Sequence, residues 1–103
     1  MGLDELMAAA RTFFSKGFAG VIRVEVTDRS QSFWVDGRER EPLVQAGSPP
    51  GVAGGFCLWR AEGLTLERLF TNEQRRLESA FISSRLKISG DMSVMARLEV
   101  GNG

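Results

Sequence analysis

The sequence predicts a two-layer α+β domain, and three observations carry that prediction. Its N-terminal segment has the three- and four-residue apolar spacing of a helix. Four short stretches further on alternate or cluster apolar residues in the manner of strands. A helical stretch then separates them from a fifth strand and a last helix.

The first helix is read over Leu3 to Lys16. Leu3, Leu6, Met7, Ala10, Phe13 and Phe14 fall on one side, and Gly17 follows as a stop signal. Asp4 and Glu5 at its start and Lys16 at its end suit the helix dipole. In "GVIRVEVTD", Ile22, Val24 and Val26 face one way while Arg23, Glu25 and Thr27 face the other, as in a half-buried strand. "DRSQ" turns the chain into "SFWVDG", where Phe33 and Val35 oppose Trp34, so the two strands should pair as an antiparallel hairpin. "PLVQAG" is a short third strand, with Pro42 marking an edge or a strand start.

"GSPPGVAGG" has the glycines of a phosphate loop but lacks the lysine and hydroxyl residue that should follow, so it reads as a connection. "FCLWRA" is the fourth strand, with Cys57 and Trp59 on its core face. Strands one to four are expected to form an antiparallel meander. Thr65 is the expected N-cap of a helix carrying Leu66, Leu69 and Phe70, and "NEQRRLESAFISS" continues helical with Leu77, Ala80 and Phe81 inward. Leu86 and Ile88 make the fifth strand, Gly90 turns the chain, and Asp91 caps a last helix with Met92, Met95 and Leu98 on its apolar side.

Length and composition narrow the function. A chain of 103 residues has room for one modest core, so residues 1–103 are read as a single domain. With 43% apolar and 25% charged residues, the composition is that of a globular protein. Thirteen basic residues balance thirteen acidic ones, and Arg75-Arg76 lie between Glu73 and Glu78, so nucleic acid is not an expected partner. No apolar run approaches the ~18 residues of a transmembrane segment, and the acidic N-terminus is unlike a secretory signal. The expected location is cytoplasmic.

Histidine is absent, which removes the commonest acid-base and metal-binding side chain. The single Cys57 permits neither an intrachain disulfide nor a multi-cysteine metal site. Asp36 and Asp91 stand beside glycines, where turn and cap roles are the ordinary ones. The chain is therefore read as a non-enzyme with no cofactor and no metal.

"SAFISSRLKISGDMSVMARLE" resembles the C-terminal signature of the sterol carrier protein domain family: a strand of the Leu-Lys-Ile type, a Gly-Asp turn and a Met- and Leu-rich helix. The "GVIRVEVTD…SFWVDG" hairpin and the "FCLWRAEGLTLERLF" step follow in the family's order, so the resemblance runs from about Phe18 to Val100. It implies a five-stranded, mostly antiparallel sheet covered by helices, with an apolar tunnel between the layers. It also implies a non-catalytic protein that binds or transfers a lipid or other apolar small molecule, held by its acyl, sterol or prenyl chain. Some bacterial relatives act as accessory factors, for instance in ubiquinone biosynthesis. Glu78 and Ser83-Ser84 stand where the family often has glutamines, so contacts made through those glutamines do not carry over. The ending "GNG" is not of the peroxisomal Ser-Lys-Leu type.

The residues facing the implied tunnel are Leu69, Phe70, Leu77, Phe81, Ile82, Met92 and Met95. Plain core packing competes with lipid lining at each, because an apolar helical stripe normally buries itself. Methionine suits a lining that adapts to varied chains. Trp34 has three open roles: covering the second face of the sheet, a dimer contact, or a surface for a membrane or partner. The alternative function is an interaction or dimerisation module with a closed cavity, a homodimer or the partner of an enzyme.

Overall fold

The computed structural model describes residues 2–52, 55–71 and 85–98. Helix α1 (Leu3–Phe13) is followed by strands β1 (Val21–Val26), β2 (Gln31–Asp36), β3 (Leu43–Gln45) and β4 (Cys57–Ala61). Helix α2 (Gly63–Thr71), strand β5 (Leu86–Gly90) and helix α3 (Ser93–Arg97) complete the described elements. The expected helix across "NEQRRLESAFISS" lies outside the described residues.

The α+β class with five strands stands, but the sheet order is β3-β2-β1-β4-β5. The expected meander is corrected at one place. β4 pairs not with β3 but with β1, in parallel, placing Ile22 against Cys57 and Val24 against Trp59. Parallel neighbours need a connection far longer than a hairpin turn, and here residues 27–56, with β2 and β3 among them, separate the two strands in sequence. The other pairings are antiparallel, with Val24 opposite Phe33 and Trp59 opposite Ile88. The sheet is thus mixed, with β1 at its centre and β3 and β5 at its edges.

Side-chain alternation divides the sheet as the sequence predicts. Ile22, Val24, Val26, Phe33, Val35, Cys57, Trp59 and Ala61 are buried in the core shared with the helices. α1 contributes Leu6, Met7, Ala10 and Phe13, and α2 contributes Leu66, Leu69 and Phe70. α1 ends three residues before the expected Lys16, with the Phe14 N–H bonded to the Ala10 carbonyl. Arg11 donates to the Val44 carbonyl at 3.2 Å, tying this helix to the edge strand.

Two helix starts differ from expectation. α2 begins at Gly63 rather than at a Thr65 cap. The Gly63 N–H, one of the donors a helix start leaves unpaired, is met by Asp28 Oδ1 at 2.8 Å from the β1–β2 turn. At α3 the N-cap is Met92, yet Asp91 performs the capping chemistry, its Oδ1 accepting from Ser93 N at 3.1 Å. Gly90 turns the chain at φ 82°, a left-handed conformation that L-residues adopt only at a cost.

Candidate functional site

The space between helices and sheet is organised around Phe14, just past α1 and 1% exposed. Its ring centroid lies 5.0 Å from Phe13, 5.4 Å from Trp59, and 5.9 Å from both Phe18 and Phe70. Phe70 also meets Phe13 at 5.4 Å and Phe33 at 6.4 Å. The tilted and edge-on geometries are those that aromatic pairs favour, each pair worth about 0.5–1.5 kcal/mol beyond burial. This cluster joins α1, α2, β2 and β4 into one apolar layer.

Of the candidate lining residues, Leu69 and Phe70 reach this layer from α2. Met95 packs against it, half-buried, from α3. Met92 does not face inward: it precedes the first turn of α3 and is 47% exposed. The inward side of α3 is instead Val94, with Met95 and Leu98 flanking it. Leu77, Phe81 and Ile82 lie outside the described residues.

α3 is held where β1 begins. Arg97 donates to the Phe18 carbonyl at 3.2 Å and to the Ala19 carbonyl at 3.1 Å. Val94 sits in a notch left by Gly20, where an added Cβ would meet Val94 Cγ2 at 2.8 Å. Ala19 itself stands at φ 54°, a strained conformation for a residue with a Cβ. Its N–H bonds to the Gly37 carbonyl at 2.9 Å, which helps fix it there.

Cys57 and Trp59 were expected in the core, and both are fully buried. Burial pushes the Cys57 thiol up from its ordinary pKa; the nearby Trp59 indole opposes this and the Asp91 charge adds to it. A thiol held protonated is a poor nucleophile. Trp59 carries the feature that sequence reasoning missed. Its Nε1–H is buried and has no hydrogen-bond partner among the described residues, although a buried indole N–H normally finds one. The alternating pattern shows that Trp59 faces the core; it does not show what its N–H meets.

The opposite face of the sheet has different chemistry. Glu25 receives Arg60 Nε at 3.0 Å and lies 3.5 Å from Arg23 Nε. The Arg23 guanidinium stands 5.6 Å from the centre of Trp34, whose ring meets Phe56 edge-on at 4.9 Å. Of the three roles left open for Trp34, covering the second face agrees with its 8% exposure. At the end of β2, Arg38 grips the Asp36 carboxylate with two bonds of 2.8 Å and donates to the Pro50 carbonyl at 2.9 Å. The Arg38 side-chain bonds are the main reason the Asp36 carboxyl lies below the usual carboxylate range, despite its burial.

A hollow of about 520 Å³ beside Lys16, Arg38 and Arg40 and another of about 280 Å³ beside Arg23, Glu25 and Arg60 open to solvent through charged rims. Neither is lined by the rings of the aromatic layer. Among the described residues no group of three or more Cys, Asp or Glu is placed to hold a metal ion. No described helix is long and apolar enough to cross a membrane.

A mixed five-stranded sheet with an aromatic-rich apolar layer under its helices defines an α+β domain of the sterol-carrier type. The chain belongs to the SCP-2 sterol transfer family, whose model matches residues 6–100. Two solved structures share the fold. Sterol carrier protein 2 from Yarrowia lipolytica, in its apo form, superposes with a TM-score of 0.63 at 17% identity, covering 93% of this chain and 80% of that one. The UbiJ-SCP2 ubiquinone synthesis protein superposes with a TM-score of 0.57 at 23% identity, over 93% of this chain and 75% of the other. No curated protein sequence matches the chain.

Proposed function

We propose that this protein binds a lipid in the apolar layer between its helices and sheet, and acts as a carrier or presenter of that lipid rather than as a catalyst. The observation that carries the reading is the aromatic layer around Phe14, Trp59 and Phe70 in a chain of the SCP-2 sterol transfer family. Affinity would come from burying the guest's hydrocarbon, about 0.8 kcal/mol for each CH₂ removed from water. The missing histidine and the buried, protonated thiol of Cys57 support a non-catalytic role.

Guest exchange needs one boundary of the layer to open, and α3 is suited to that. It is five residues long, is anchored through Arg97 and Val94, and follows the left-handed turn at Gly90. The fold shared with a ubiquinone synthesis protein supports a second setting, in which the domain serves an enzyme that acts on a prenylated or acylated substrate.

Native mass spectrometry of the isolated protein, paired with uptake of a fluorescent acyl ester, tests the reading. The expected result is a co-purifying lipid mass or saturable uptake at one site per chain. A protein that emerges lipid-free and takes up no probe would overturn it, leaving the closed interaction module as the better account.

A further inference from the structure

The unpartnered indole of Trp59 is an anomaly in an otherwise apolar layer. A buried polar group without a partner costs about 1–3 kcal/mol, and native interiors leave few of them. The indole nitrogen is a donor only, so what it lacks is an acceptor. Trp59 is 0% exposed and sits one strand in from the sheet edge, opposite half-buried Ile88 on β5. Phe14 packs against its ring at 5.4 Å. Burial pushes the Cys57 thiol's pKa up, and the Trp59 indole opposes this as a weak hydrogen-bond donor to the sulfur would. Sulfur is a weak acceptor, however, and among the described residues no acceptor meets the N–H in full hydrogen-bond geometry.

We infer that Trp59 Nε1–H is the polar anchor of the lipid site, donating to a neutral oxygen of the guest, a carbonyl or hydroxyl. This rests on the lipid-binding reading and sharpens it to a ligand class. Neutrality follows from the surroundings. Among the described residues the one buried charged side chain is Asp36, on the sheet's other face, so none of them offers a buried cation to an anionic guest. An ionised carboxylate left there without a counter-charge would carry a large desolvation penalty. A ketone, quinone, ester or sterol hydroxyl would satisfy the N–H without that penalty, and a plain hydrocarbon would leave it unsatisfied.

The experiment compares 2-tetradecanone with tetradecane, both delivered from cyclodextrin, on the full chain and on Trp59→Phe. In the unmodified protein the Trp59 indole N–H signal, separated from that of Trp34 by ¹H–¹⁵N NMR with ¹⁵N-indole labelling, should move downfield with the ketone and not with the alkane. Trp59→Phe keeps an aromatic ring and should weaken ketone binding about tenfold while changing alkane binding little. Equal losses for the two guests, or bound ketone with an unmoved indole signal, would overturn the anchor and leave the lipid reading standing. Failure of both guests to bind would overturn both readings. The NMR measurement decides the question even where Trp59→Phe fails to fold.

Discussion

The two faces of the sheet solve opposite problems with the same alternating strands. On the helix side, apolar side chains from β1, β2 and β4 meet aromatic rings from α1 and α2, and stability comes from packing and area removed from water. On the far side, Arg23, Glu25 and Arg60 form a charged ladder, and Asp36 is gripped by Arg38 beside a small Trp34–Phe56 contact. The difference shows where a polar anomaly carries information. On the far side the buried Arg23 Nε also lacks a hydrogen-bond partner among the described residues, but the Glu25 carboxylate lies 3.5 Å away and offsets part of that cost. Beneath the helices, one unmet N–H is expensive enough to need a reason.

The comparison can be broken most forcefully at Phe14. Phe14→Ala removes the ring that touches four others, and the expected loss is about 3–5 kcal/mol, with Phe14→Leu losing less. A domain whose whole stability is of order 5–15 kcal/mol would come close to unfolding. Urea unfolding followed by tryptophan fluorescence checks it, and a loss under about 1 kcal/mol would show that the cluster is not central.

Asp36 gives an intermediate effect with a pH signature. Its folded-state pKa is lowered, so the folded chain holds its proton less tightly than the unfolded one. The resulting stability is present above the ordinary carboxylate pKa, near 4, and is lost as pH falls through the lowered folded value. Asp36→Asn should therefore lower the melting temperature by a few degrees at pH 7. The two proteins should converge in strong acid, as thermal melts across the acid range would show. The smallest effect belongs to the exposed ladder. Glu25→Gln should cost about 0.5 kcal/mol or less, a difference that shrinks further as salt is added.

Much of this division was legible in the chain. Ile22, Val24 and Val26 against Arg23, Glu25 and Thr27 tells which side of β1 faces the helices, and Phe33 against Trp34 does the same for β2, because strand side chains alternate strictly. The neighbour of β1 was not legible. A local pattern shows that "FCLWRA" is a strand, but only the path of the preceding connection decides whether it pairs with β3 or crosses to β1. The start of α2 escaped for a similar reason, since its first donor is met by Asp28, 35 positions earlier.

The candidate site divides in the same way. Helical spacing placed Leu69 and Phe70 correctly in the apolar layer. It misplaced Met92, because α3 starts one residue later and turns Val94 inward instead. The indole of Trp59 lay beyond any pattern, since a missing partner is a property of three-dimensional surroundings.

The parallel pairing of β1 with β4 also orders events in time. As the chain leaves the ribosome, β1, β2 and β3 can pair as soon as they emerge, since each neighbours the next. Through that interval β1, the future centre of the sheet, is an edge whose Ile22, Val24 and Val26 have no strand beside them on one flank. An uncovered, hydrophobic strand edge invites pairing with other chains. It closes only when residues 57–61 have been made and carried past β2. Pulse-labelling hydrogen exchange on β1 during refolding should show its β4-facing amides protected last, the interval when a chaperone would have most to hold.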